Sequence, residues 1–182
     1  MQWIFGYGSL IWDPGFGFAE RQIARLDGWH RSFCMKSIHN RGTHENPGRF
    51  LALDRADGGY CDGVAFGVSD DCAPSVLDYL RARELISYAY VEAQLPIRLA
   101  DGRAVDSVTF VINRDHSQYA GLLSREDQAQ IIAKCHGDKG PNAEYLWNTS
   151  AHLTGLGLAD PEMAWLADRV RMILKQQGDA SG

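Results

Sequence analysis

The chain has 182 residues, of which 45% are apolar and 23% charged, the balance of an average soluble globular domain, so disordered, collagenous and tandem-repeat architectures are excluded. Its formal net charge is −5 and no block of Lys or Arg interrupts it, which argues against nucleic-acid or anionic-membrane partners and for a small-molecule ligand. Cys34, Cys61, Cys72 and Cys135 form neither a Cys-x-x-Cys motif nor a dense disulfide framework, so a reducing, cytoplasmic setting is expected.

Met1 to Leu10 lacks a positive n-region and a small-residue cleavage site and is broken by glycines, so it reads as mature sequence. Nowhere do about 18 or more apolar residues run together, so no helical membrane span is expected. Residues 2–7 are apolar and aromatic and are followed by Gly8-Ser9, the pattern of a short buried strand ending in a tight turn. Segments 22–37, 49–55 and 60–68 are rich in β-branched and aromatic residues and read as antiparallel strands. Asp57-Gly58-Gly59 is a two-strand connection signal between the last two.

Asp70-Asp71 precedes a helix near 73–84 that carries Val76, Leu77 and Leu80. Segments 88–99 and 104–113 flank Asp101-Gly102, a second hairpin signal, and Val105, Val108, Phe110 and Ile112 give partial alternation. Ser124 opens a capping box with Asp127 at the usual Glu position, ahead of Ile131, Ile132 and Cys135 and a stop at Gly137. Another helix spans Asn142 to about Leu153. Asp160-Pro161 starts the last one, whose stripe of Met163, Trp165, Leu166, Val170, Ile173 and Leu174 runs to Gly178. Trp3, Trp12, Trp29, Trp147 and Trp165 are read as packing at the core or its rim. Strands fill the first two thirds and helices the last third, without the alternation of a doubly wound sheet, so the class is α+β. One domain over 1–178 is expected, with Gln176 to Gly182 fraying and 179–182 a flexible tail.

Two places carry chemistry. Gly6-Tyr7-Gly8-Ser9-Leu10 has two glycines in three positions, which lets backbone N–H groups converge on an anion while Ser9 adds a hydroxyl; alone, such a segment is more often simply a turn after a strand. It is no P-loop, because Lys-Ser/Thr is missing. Glu84 lies at i+7 from Leu77 and i+4 from Leu80, on the apolar face of its helix. A carboxyl desolvated there has a raised pKa and suits a general base near neutral pH. From periodicity alone, an ion pair with Arg81 or Arg83 in solvent is the simpler reading. His39 and His44 bracket Asn40-Arg41-Gly42-Thr43 without a third ligand or zinc spacing, so a polar loop is expected. No Gly-x-Ser-x-Gly elbow or nucleophilic Cys motif occurs.

Together, Phe5-Gly6-Tyr7-Gly8-Ser9-Leu10-Ile11-Trp12, Asn40-Arg41-Gly42 with Pro47-Gly48-Arg49, Arg83-Glu84 with Tyr88, and Asn142-Ala143-Glu144-Tyr145-Leu146 resemble the ChaC-type γ-glutamylcyclotransferases over nearly the whole chain. The resemblance implies a small, mostly antiparallel β-barrel flanked by helices. It implies an enzyme without cofactor or metal that releases the γ-glutamyl group of glutathione as 5-oxoproline and leaves cysteinylglycine. A monomer is the expectation for a domain of this size. On this match Glu84 is the general acid/base. Ile4, Phe5, Gly6, Tyr7, Gly8, Ser9 and Leu10 hold the γ-glutamyl moiety, with Arg41, Tyr88 and Tyr145 lining the site. The chain departs from the family where Gly-Gly is expected after the base, carrying Leu85-Ile86-Ser87 instead. Other γ-glutamyl amino acids or amines, or a non-catalytic regulatory module of the cation-transport type, are the alternatives.

Overall fold

The computed structural model describes residues 1–179, which form two compact units: Met1–Ser32 with Leu51–Tyr119, and Phe33–Phe50 with the chain from Ala120 onward. The first unit is a closed β-barrel. Its strands β1 (Gln2–Gly6), β2 (Glu20–Ser37), β3 (Gly48–Val68), β4 (Tyr90–Leu99) and β5 (Ala104–Ile112) follow the order β1-β3-β2-β4-β5. β1 runs antiparallel to β3 from Gln2↔Val68 to Gly6↔Val64 and closes the barrel by lying parallel to β5 at Trp3↔Ser107 and Ile4↔Val108. The Asp101-Gly102 signal is a hairpin, with β4 and β5 antiparallel from Tyr90↔Ile112 to Arg98↔Ala104.

Trp3 and Phe5 of β1, and Tyr7 just past its end, enter a core shared with Leu26, Leu53, Ala65, Ile97, Leu99 and Val111. Ile4, on the opposite face, is also buried. A strand buried on both faces reads as an unbroken apolar run, which is what residues 2–7 show. Each large aliphatic or aromatic side chain buried there contributes about 1.5–3 kcal/mol.

The hairpin expected at Asp57-Gly58-Gly59 is absent, because β3 continues through it as one strand. β3 lies between β1 and β2 in the barrel, so its two halves are already paired with other strands and do not fold onto each other. Gly58, at φ 71°, lets the long strand bend where a hairpin tip would otherwise stand. The chain between β2 and β3 is instead the polar segment from Ile38 to Pro47, where His39 and His44 are exposed and meet edge to face at 5.2 Å.

After the barrel's third strand comes α1 (Ala73–Glu84), with Pro74 in its first turn and Val76 and Leu80 buried. In the second unit, α2 (Arg125–Lys134), α3 (Asn142–Gly155) and α4 (Pro161–Asp179) pack on one another. They bury Ile132, Leu146, Leu153, Leu166 and Val170. Their starts follow the capping signals: the Ser124 hydroxyl accepts from the Asp127 N–H at 3.1 Å, and Asp160 Oδ1 accepts from the Met163 N–H at 2.9 Å. Glu126 accepts two 2.8 Å bonds from Arg169, joining α2 to α4. A two-stranded ribbon, β6 (His136–Gly137) with β7 (Gly140–Pro141), leads into α3.

α4 does not fray at Gln176. It runs to Asp179, because Lys175, Gln176 and Gln177 are good helix formers and one glycine costs only about 1 kcal/mol. The rest of the expected tail, residues 180–182, lies outside the described residues. No helix among the described residues is long and apolar enough to cross a membrane.

Candidate active site

At the end of β1 the chain turns through Tyr7 and Gly8 into a single 3-10 turn, Ser9–Ile11. The turn closes on itself through Ile11 N–H to the Gly8 carbonyl at 2.9 Å and Asp13 N–H to the Ser9 carbonyl at 2.9 Å. The N–H groups of Gly8, Ser9 and Leu10 donate to no carbonyl or side chain among the described residues, as expected at a helical N-terminus. The side chains around them are committed elsewhere. Ile4 and Phe5 are fully buried and Leu10 nearly so. The Tyr7 hydroxyl points inward and donates to the Phe110 carbonyl at 2.8 Å, and Thr109 donates to the Phe5 carbonyl at 2.9 Å. What this segment offers a ligand is therefore its backbone donors and the Ser9 hydroxyl.

Glu84 is the last residue of α1, and its side chain is 19% exposed. It does not stand in solvent, as the simpler reading of the periodicity had it. Burial pushes its carboxyl above the ordinary value, and the adjacent Arg83 charge opposes that in part. Arg83, which the sequence offered only as an ion-pair partner of Glu84, makes that pair and several contacts beyond it. Its Nε lies 3.2 Å from Glu84 Oε1, its Nη2 donates to Ser9 Oγ at 3.1 Å, and its Nη1 donates to the Asp13 carbonyl at 2.8 Å and the Tyr79 hydroxyl at 3.2 Å. One guanidinium thus touches both the turn after β1 and the carboxylate at the end of α1. Arg31 braces the same turn, donating from Nε to the Tyr7 carbonyl and from Nη2 to the Asp62 carbonyl, both at 2.6 Å. Only the fold reveals the ties of these two arginines to the turn, since Ser9, Asp13 and Tyr7 lie far from them in sequence.

Beyond Glu84 the helix stops at Leu85, and the next residues expose Ile86 (80%) and Tyr88 (71%). Tyr88 adopts φ 56°, a left-handed conformation that costs a non-glycine residue on the order of 1 kcal/mol or more. Asn113 braces it, donating from Nδ2 to the Tyr88 carbonyl at 3.4 Å and from its backbone N–H to the Ala89 carbonyl at 2.8 Å.

Arg41 and Tyr145 belong to the second unit. Arg41 Nη1 donates to the Pro141 carbonyl at 3.0 Å and to Glu144 Oε2 at 3.1 Å. Tyr145, one residue further along α3, packs edge to face on Phe33 and Phe50. Asn142, fully buried, clasps the backbone of Arg49: its Oδ1 accepts from the N–H at 2.7 Å and its Nδ2 donates to the carbonyl at 2.9 Å. A Cβ at Gly48 would overlap the Arg41 carbonyl, so only glycine lets these segments meet. Among the described residues no group of three His, Cys, Asp or Glu is placed to hold a metal ion.

A family model described as ChaC-like protein matches residues 2–173. The chain belongs to the ChaC-like family. The glutathione-specific γ-glutamylcyclotransferase of Escherichia coli (strain K12) is 36% identical over 174 residues, covering 96% of this chain and 74% of that protein. The γ-glutamylcyclotransferase 2-3 of Arabidopsis thaliana is 32% identical over 180 residues, covering 96% and 90%. The crystal structure of the yeast γ-glutamyl cyclotransferase specific to glutathione has the same fold, with a TM-score of 0.83 at 23% identity over 95% of this chain and 99% of that one. The ChaC segments of the sequence sort by unit. Phe5 to Trp12 and Arg83-Glu84 with Tyr88 lie in the first, and Asn40 to Gly42, Pro47 to Arg49 and Asn142 to Leu146 in the second.

Proposed function

We propose that this ChaC protein is a glutathione-specific γ-glutamylcyclotransferase, releasing 5-oxoproline and cysteinylglycine with Glu84 as general acid/base. The observation that carries the reading is a desolvated carboxyl of raised pKa, tied through Arg83 to a turn with spare N–H donors. The names of the E. coli and yeast relatives supply the substrate.

The chemistry needs little more. The substrate's α-amine attacks its own side-chain amide carbonyl, so the nucleophile is tethered and the protein has mainly to bend the substrate and take a proton. A free α-amine has a pKa of about 8 and is largely protonated at neutral pH. Glu84, ionised but poorly solvated, accepts that proton. The new C–N bond closes the five-membered ring, and charge gathers on the amide oxygen, for which the Gly8 to Leu10 N–H groups are natural donors. Glu84 returns the proton to the departing nitrogen as the old C–N bond breaks, and the ring nitrogen gives up its second proton, which leaves on the amine of cysteinylglycine, so that 5-oxoproline keeps one N–H and Glu84 ends as a carboxylate again. Ile4 to Leu10 hold the γ-glutamyl moiety through the backbone. Roles for Tyr88, and for Arg41 and Tyr145 in the second unit, are proposals that stand on the family match and are tested by their own substitutions.

The single domain over 1–178 is part of the same reading, supported by a family match that runs through the residues of both units. So are a cytoplasmic monomer, the absence of a cofactor, and the absence of nucleic-acid or membrane partners. The test is 5-oxoproline release, measured by mass spectrometry, from glutathione and from γ-glutamyl dipeptides, for the wild type and Glu84→Gln. Glutathione turnover that disappears in the folded variant is the expected result. Turnover of the dipeptides alone moves the specificity, a reading for which the exposed Ile86 beside the base gives a physical reason. Stabilisation by glutathione with no product from either substrate returns the chain to a binding role.

A further inference from the structure

Arg83 makes contacts that an ordinary helix-end arginine does not need. Residues in the last turn of a helix usually face solvent or the helix's own carbonyls, and Arg81, two residues earlier in the same turn, behaves so: it pairs with Glu92 and Asp78 at the surface. Arg83 turns the other way. Its three nitrogens go to three different places, Nε to the Glu84 carboxylate, Nη2 to the Ser9 hydroxyl, and Nη1 to the Asp13 carbonyl and the Tyr79 hydroxyl. These partners lie at the end of α1 and in the segment after β1, and no backbone hydrogen bond joins those two elements.

We propose that Arg83 is a positioning residue for the cyclisation: its guanidinium fixes the Ser9 turn and the Glu84 carboxylate in one geometry and supplies the positive charge that keeps the base ionised. The inference rests on the functional reading above. Among the charged side chains of the described residues, Arg83 is the one in contact with Glu84; Arg81 is engaged with Glu92 and Asp78, and Asp13 and Tyr79 reach Glu84 only through Arg83. Without that charge the burial of Glu84 acts unopposed, and the base is protonated over more of the pH range in which it must accept a proton. Lysine is no equivalent substitute, because a single ammonium carries the charge but not the planar fork whose three nitrogens reach separate partners in three directions.

The two roles separate experimentally. Arg83→Met removes charge and fork, whereas Arg83→Lys removes the fork and keeps the charge. The Glu84 carboxyl is titrated by carbon-13 NMR in the free protein, which needs no turnover, and kcat and KM for glutathione are followed against pH. In Arg83→Met the Glu84 midpoint and the acid limb of kcat/KM both move to higher pH. In Arg83→Lys both stay near the wild type while kcat falls about tenfold or more, the cost of a loosened reacting geometry. If Arg83→Met proves unfolded by thermal melting, Ser9→Ala, which removes one partner of the fork, is expected to lower kcat without moving the acid limb. A folded Arg83→Met with the Glu84 midpoint and acid limb of the wild type overturns the inference, as does an Arg83→Lys with wild-type kcat. A wild type that releases no 5-oxoproline defeats the functional reading instead, and that is seen before any Arg83 variant is assayed.

Discussion

Tyr7 sits in the middle of the most distinctive ChaC segment, yet its hydroxyl is spent inside the barrel on the Phe110 carbonyl at 2.8 Å. Tyr7→Phe keeps the ring and its packing and removes only that donor. Leaving a buried carbonyl short of a partner costs about 1–3 kcal/mol. In a chain of this size each kcal/mol moves the melting temperature by about 2–4 °C, so the melting temperature falls by about 2–12 °C. Thr109→Val removes the neighbouring tie, Thr109 Oγ1 to the Phe5 carbonyl at 2.9 Å. Both bonds hold the β1 segment to β5, so the double variant is expected to depart from additivity. Thermal melts of the four proteins by circular dichroism measure this directly. A Tyr7→Phe variant that melts with the wild type yet loses turnover would refute the reasoning and place the hydroxyl on the substrate.

Glu84→Gln has a stability signature independent of its effect on turnover. The folded-state pKa of Glu84 lies above its unfolded value through desolvation, so the native state holds that proton more tightly. The contribution to stability is full below the unfolded value and is lost as pH rises through the folded one. The wild type therefore loses stability relative to Glu84→Gln between acid and neutral pH, and paired melts across pH 4 to 8 check the sign. In the second unit, Asn142→Ala strips two partners from the buried backbone of Arg49, a loss of about 2–5 kcal/mol. An unfolding free energy from urea titration within about 1 kcal/mol of the wild type would show that the clasp is not needed.

Local chemistry made much of this protein legible. Asp101-Gly102 sets its hairpin, Ser124 and Asp160 cap their helices, and the apolar run at residues 2–7 is a strand buried on both faces. These signals act within a few residues, where side chains compete directly for the backbone. Asp57-Gly58-Gly59 carries a signal of the same kind, and there the tertiary structure prevails. Two partner strands flank β3, their ladders outweigh the local turn preference, and the glycines become a bend. α4 outlasts its glycine in the same way.

The candidate site divides along the same line. The motif residues name the turn after β1 and Glu84, and the sequence alone determines which chemical groups are present. Whether Glu84 is a surface ion-pair partner or a desolvated base depends on what packs over the end of α1, and spacing along a helix does not contain that information. Nor does it show that Tyr7 faces inward, that Tyr88 stands exposed at φ 56°, or that Arg83 reaches back to Ser9 across 74 residues of chain. Burial and long-range hydrogen bonds are properties of the closed barrel and its helix. They set the protonation and geometry of groups that the sequence can only enumerate.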